Sequence, residues 1–251
     1  MAGHSKWAGI KHKKAIVDAR RGKLFTKLAR AITVAAKEGG GDVDGNPSLA
    51  LAVQKAKDAS MPKDNNERAI AKGTGEGSDA DALETVLYEG YGPGGVALLV
   101  EALTDNRNRT ASEVRHAFTK HGGNLGTTGA VAWQFERRGV VLVSASAADE
   151  EELVTAAAEG GADDVELDGS SFVVTSAPES LSAVRQALEG GGFTIESVEL
   201  AMVPKTTVAV SDESVARRIV KLVEGLEDTE DVQDVYANFD IPEAVLEAVA
   251  S

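Results

Sequence analysis

VVLVSASAADEEELVTAAAEGGADDVELDGSSFVVTSAPESLSAVRQALEGGGFTIESVELAMV, residues 140–203, is the stretch that decides the fold. The apolar run Val140 to Val143 reads as a strand, Asp149 opens a helix that Gly160 and Gly161 stop, and a second strand lies near Val165. Phe172 to Thr175 then starts the series again, with a helix opened by Pro178, stopped by Gly190 to Gly192, and followed by a strand from Phe193 to Val203. Two such units make one β-α-β-β-α-β sandwich, the ferredoxin-like arrangement.

The same unit recurs on either side. Upstream, Val96 to Leu103 is a buried-strand run, Thr110 and Glu113 have capping-box spacing, and Val114, Ala117 and Phe118 give a helix its apolar face. Gly122 and Gly123 end that helix before a strand at Val131 to Phe135. Downstream come a strand at Thr207 to Val210, a helix near Glu213 to Glu224, and a strand at Val232 to Phe239. Pairing the first unit with the fourth and the second with the third makes residues 139–204 one domain inserted into another, built from 76–138 plus 205–251; tandem order is the alternative. An insert with its own core would also be removable without unfolding the remainder.

GTGEGSDADA, Gly73 to Ala82, reads as a linker, and residues 1–75 before it as a small helical domain. There Leu24, Leu28, Ala31, Ile32 and Ala35 recur at three-to-four spacing, Gly39 to Gly41 stop the helix, and Asn46-Pro47 opens a second helix with Leu49, Val53 and Ala56 inward. Asp64 and Glu67 suggest a capping box for a third helix ending at Gly73. The fold class is therefore α+β: a small N-terminal helical domain followed by two ferredoxin-like α/β sandwich domains, one inserted in the other.

Charge is distributed unevenly. The first thirty residues hold six Lys and three Arg against the single acid Asp18, a net of +8 in a chain that carries −14. A cationic head on an acidic body points to a polyanionic partner. Residues 1 to about 16 lack an apolar period and read as a mobile arm, presenting His4, Lys6, Trp7, Lys11, His12, Lys13 and Lys14. Arg20, Arg21, Lys23, Lys27 and Arg30 extend the basic surface along the first helix. These twelve residues are the candidate nucleic-acid contacts. A Lys-rich arm with one stackable aromatic suits irregular RNA somewhat better than a duplex groove, but DNA and ribosomal RNA both stay open.

A second candidate is the run Thr104 to Thr110, TDNRNRT, between a strand end and a helix N-terminus, where free N–H groups and the helix dipole favour an anion. Asn106, Arg107, Asn108, Arg109 and Thr110 would bind it; alternatively, Arg107 and Arg109 pair with nearby acids. GYGPGG, Gly90 to Gly95, matches G-x-G-x-x-G but precedes a strand and contains Pro93, so it reads as a turn rather than a dinucleotide loop. His116 and His121 lie about 140° apart on a helix and share no metal geometry. No catalytic residue, metal site or cofactor is expected. Cys is absent, an apolar secretory segment is lacking, and no apolar run is long enough to span a bilayer, so the expectation is a cytoplasmic monomer with no membrane partner.

The motifs MAGHSKWAGIKHKKAIVDARRGKLFTKL, GGGD at Gly39 to Asp42, Asn46-Pro47, YEGYGPGG, LTDNRNRT, the Gly122 to Gly126 turn and VYANFDIP together resemble the YebC family, nearly end to end. Gly9 stands where that family usually has Asn. The resemblance implies a helical N-terminal domain with two α/β domains. It also implies regulation of gene expression, through DNA in the bacterial members described as probable DNA-binding transcriptional regulators, or through the ribosome, as in mitochondrial translational activators of cytochrome c oxidase. The reading is thus a non-enzymatic nucleic-acid-binding regulator whose partner is DNA or ribosomal RNA, including the ribosome itself. The alternatives are an enzyme acting on a phosphorylated substrate at the Arg107 and Arg109 loop, and an acidic protein-docking module.

Overall fold

The computed structural model describes residues 18–75, 83–146 and 148–250. Three helices come first: α1 (Asp18–Gly39), α2 (Pro47–Asp58) and α3 (Lys63–Gly73). They close on Ile32, Ala36, Leu49, Val53, Ala56 and Ala69. The Asn46 side chain is buried and fully used, accepting from Leu49 N at 3.1 Å and donating to Ala35 O at 2.8 Å and Gly40 O at 2.9 Å. It caps α2 and ties α2 to the end of α1. Gly73 has a second role besides ending α3, because a Cβ there would lie 2.4 Å from Thr33 O. The bare backbone lets α3 and α1 touch.

Two local expectations need correcting. Leu24 is 44% exposed, because the N-terminal part of α1 runs past the three-helix core. Asp64 does not cap α3; the helix starts after Pro62 without a side-chain cap, and Glu67 faces Lys63 at 3.3 Å instead.

In chain order there follow β1 (Glu84–Tyr91), β2 (Ala97–Thr104), α4 (Arg107–Lys120), β3 (Asn124–Leu125), β4 (Phe135–Ser144), α5 (Glu150–Glu159), β5 (Ala162–Asp168), β6 (Ser171–Ser176), α6 (Leu181–Gly190), β7 (Ile195–Pro204), β8 (Val208–Ala209), α7 (Glu213–Glu227), β9 (Val232–Ala237), β10 (Phe239–Asp240) and α8 (Glu243–Ala250). β4 to β7 form an antiparallel sheet in the order β5-β6-β4-β7, the ferredoxin-like arrangement. The other sheet is β3-β1-β2-β9. It has the same spatial plan with a permuted chain order, since a hairpin supplies its two central strands. The chain leaves this sheet after β3, builds the whole β4 to β7 sheet, and returns through α7 to β9. Phe135 pairs with Pro204, so the excursion begins and ends at one place.

The permuted order corrects three strand assignments. The sequence pattern marks no strand between the linker ending at Ala82 and the run from Val96, yet β1 lies there and is a central strand; Gly94 and Gly95, at φ 74° and 79°, make the hairpin turn into β2. In the Val131 to Phe135 run, Ala132–Gln134 is a 3₁₀ turn and only Phe135 is strand, the first residue of β4, because Glu89 takes the backbone donors here: the carboxylate accepts from Val131 and Ala132 N at 2.7 and 2.8 Å, and from Gly129 N just before them at 2.6 Å. Val208 and Ala209 pair with β10 outside the main sheet.

Strand alternation sets four layers. Leu98, Val100 and Ala102 face α4 and α7 through Val114, Phe118, Ile219 and Leu222. Ala97 and Leu99 point the other way and join Tyr236 against Val140, Leu142 and Ala201 of the second sheet. Beyond it, Val141, Val143 and Val174 meet Leu153, Val184 and Leu188 of α5 and α6. Because the two sheets share a core, cutting out residues 139–204 bares Ala97, Leu99 and Tyr236. The excised protein is therefore expected to aggregate rather than stay soluble.

Candidate nucleic-acid interface

Lys23, Lys27 and Arg30 stand at i, i+4 and i+7 and share one face of α1. Lys23 is exposed. The other two reach across to the body. Lys27 Nζ donates to Glu227 O at 2.5 Å, at the last residue of α7. Arg30 donates to Glu230 O at 3.1 Å, to Glu230 Oε1 at 2.8 Å and to Asp231 Oδ1 at 2.7 Å. A helix C-terminus presents unpaired carbonyls and the negative end of its dipole, so two cations seat there favourably.

Asp231 is the hub. Its side chain is 1% exposed and also accepts from Arg109 Nη2 at 2.7 Å, Thr110 Oγ1 at 2.6 Å and Thr104 Oγ1 at 3.2 Å. Burial alone would raise this carboxyl, but hydrogen bonds from Thr110, Arg109 and Arg30 outweigh it and hold Asp231 below the ordinary carboxylate range. Three stretches far apart in sequence thus meet on one buried charge.

The TDNRNRT run is mostly helix, and its two arginines have acidic partners. Asn106, not Thr110, caps α4, accepting from Arg109 N at 3.1 Å, and the helix begins at Arg107. Thr110 is fully buried against Thr104 and Asp231. Arg107 forks onto Glu84 at 2.5 and 2.7 Å, and Arg109 adds Asp105 at 2.8 Å to Asp231. Of the two readings of this run, pairing with nearby acids describes both arginines. Glu84, Asp231 and Glu230 were not singled out in the sequence, where they lie 23, 122 and 200 positions from the cations they hold.

His4, Lys6, Trp7, Lys11, His12, Lys13 and Lys14 lie outside the described residues, while Arg20 and Arg21 belong to α1. Between α1, α3 and the Leu83 to Asp105 edge runs a groove of about 720 Å³ with Arg30, Arg68 and Lys72 on its walls. Among the described residues no group of three or more His, Asp or Glu is placed to hold a metal ion, and no helix is long and apolar enough to cross a membrane.

Residues 5–76 match the family model described as TACO1/YebC protein N-terminal domain, and residues 83–239 match TACO1/YebC second and third domain. A probable transcriptional regulatory protein of Rubrobacter xylanophilus is 61% identical over the full length of both chains. One of the same description from Persephonella marina is 53% identical, again covering both chains completely. Among solved structures, a conserved hypothetical protein from Aquifex aeolicus superposes with a TM-score of 0.83 at 51% identity, covering 93% of this chain and 96% of that one.

Proposed function

Since the chain belongs to the TACO1/YebC family, we propose that it is a non-enzymatic regulator of gene expression that acts in the cytoplasm by binding nucleic acid through its cationic N-terminal head. The observation that carries this reading is the charge asymmetry: +8 in the first thirty residues of a chain that carries −14. Lys27 and Arg30 divide the labour within that head. They seat α1 on the end of α7, and the contact with phosphate falls to the preceding lysines together with Arg20, Arg21 and Lys23. An enzyme built on the Arg107 and Arg109 loop has less support, because Glu84, Asp105 and Asp231 already occupy both guanidiniums. The same reading has the protein act as a monomer, without a cofactor.

Salt-dependent binding tests this. Neutralising about five phosphates gives a slope of log K against log salt of about −3.5 on single strands and about −4.5 on duplex. Deleting residues 2–16 removes Lys6, Lys11, Lys13 and Lys14 and is expected to flatten the slope by about 3 while leaving the melt of the folded body unchanged. Ribosome co-sedimentation beside genomic DNA capture decides which polyanion is the target. Unaltered affinity and salt slope in the deleted protein would sink the proposal.

A further inference from the structure

The body has a cationic face of its own. Residues 114–123 and 214–223 contain five Lys and Arg (Arg115, Lys120, Arg217, Arg218 and Lys221) and no acid, in a chain whose net charge is −14. These stretches lie on α4 and α7, which pack side by side on the outer face of the β3-β1-β2-β9 sheet. Their apolar positions, among them Val114, Phe118, Ile219 and Leu222, turn inward, so Arg115, His116, Lys120, Arg218 and Lys221 are exposed. Arg217 is held by Glu213 at 2.9 Å, and Arg218 lies near Asp212.

Two glycine turns bring the patch together. A Cβ on Gly122 would lie 3.9 Å from Arg218 Nη1 and 3.9 Å from Pro93, so the GYGPGG turn, the end of α4 and the middle of α7 adjoin. His121 lies against α7 as well, its Nε2 3.2 Å from where a Cβ on Gly225 would be. Burial, then the charges of Lys120, Lys221 and His116, lower its basicity. Lys221 is six residues from Glu227, about 9 Å along the α7 axis, and Glu227 is where Lys27 seats the head.

We propose that Lys120, Arg218 and Lys221, with His116 and His121, form a second phosphate-contacting surface, on which a nucleic acid held by the N-terminal arm continues along α7. This rests on the nucleic-acid reading above and adds a place for the strand to go. The chemistry recognised is the phosphodiester backbone, which RNA and DNA share, so the contacts are sequence-independent.

The test compares wild type, the 2–16 deletion, and Lys120→Glu with Arg218→Glu and Lys221→Glu, using a long stem-loop RNA and a DNA duplex as probes over a salt series. With three contacts added to the roughly five phosphates of the head, the wild-type slope is expected to be about −5.6 on single strands and about −7.2 on duplex; loss of the three flattens it by about 2 and nearly 3 respectively, additively with the arm deletion. The probe that loses more identifies the source of the backbone. The Gln versions of the three substitutions replace the Glu set if its melt is lowered. Reversal of Lys57, Arg185 and Lys205, which lie off the patch, controls for bulk charge. If wild type binds through the arm but the patch variant matches it, or the control acts equally, the second surface is refuted and the head reading stands. If wild type binds neither probe, both fall.

Discussion

Asp231→Ala removes the charge on which Arg30, Arg109 and Thr110 converge. Deleting one member of a buried, hydrogen-bonded charge pair costs about 3–5 kcal/mol, because the partners are left desolvated and uncompensated. Here the partners are only partly enclosed. The Arg30 side chain is 19% exposed and keeps Glu230, and that of Arg109 is 43% exposed and keeps Asp105. The lower end therefore applies, about 3 kcal/mol for Ala; Asn, which can still accept from Thr110, should cost about 2 kcal/mol. Guanidinium denaturation followed by circular dichroism measures this. The pH dependence adds a signature: with its folded pKa held low, Asp231 stabilises fully above the unfolded value and loses that contribution as pH falls through the folded one. The gap between wild type and Asp231→Ala should thus be full at pH 7 and shrink below about pH 4. A cost below about 1 kcal/mol at neutral pH, or a gap that stays constant into acid, would refute the reasoning.

Four further outcomes follow from the same kind of argument. Glu101 faces Asp234 directly across β2 and β9, and burial followed by that neighbour raises its carboxyl pKa. Its ionised form is therefore a burden as pH rises through the folded value, and Glu101→Gln should raise stability at neutral pH by about 0.5–1 kcal/mol; a lower melting temperature would contradict this. Asn46→Ala strips a cap and two carbonyl partners and should cost about 2–3 kcal/mol in a thermal or denaturant melt. Gly73→Ala drives a Cβ against Thr33 O and should destabilise by about 1–3 kcal/mol, whereas a silent substitution would mean α1 and α3 can part freely. Lys23→Glu and Lys27→Glu should separate by readout, the first weakening nucleic-acid binding with an unchanged melt, the second loosening the head, seen as faster hydrogen exchange in α1.

The α+β class and the β4 to β7 sheet were legible because each strand and helix there announces itself by period and punctuation, with Asp149 at a cap and Gly160 at a stop. The permuted sheet was harder. β1 carries Glu84 and Glu89 and ends in GYG, which looks like linker chemistry, and only the fold reveals that Glu89 is buried as an acceptor for three backbone N–H groups. Local pattern likewise showed Asn46 as a cap but pointed to Thr110 instead of Asn106 for α4, because the buried role of Thr110 depends on Asp231. The candidate interface was legible as charge, and its division was not. Nothing in the spacing of Lys23, Lys27 and Arg30 tells that Lys23 stays exposed while the other two turn to residues 227–231.

The nesting of one sheet inside the other also orders assembly on the ribosome. Every strand of the β5-β6-β4-β7 sheet has been made by Pro204, but the earlier sheet lacks an edge until Val232 to Ala237 emerges. The sheet begun first therefore finishes last. Arg30 and Asp231 are 201 residues apart, so at about 5–20 residues per second roughly 10–40 s pass between the synthesis of the two. Through that interval the cationic head has no seat, and the seating of α1 reports that translation has passed residues 227–231.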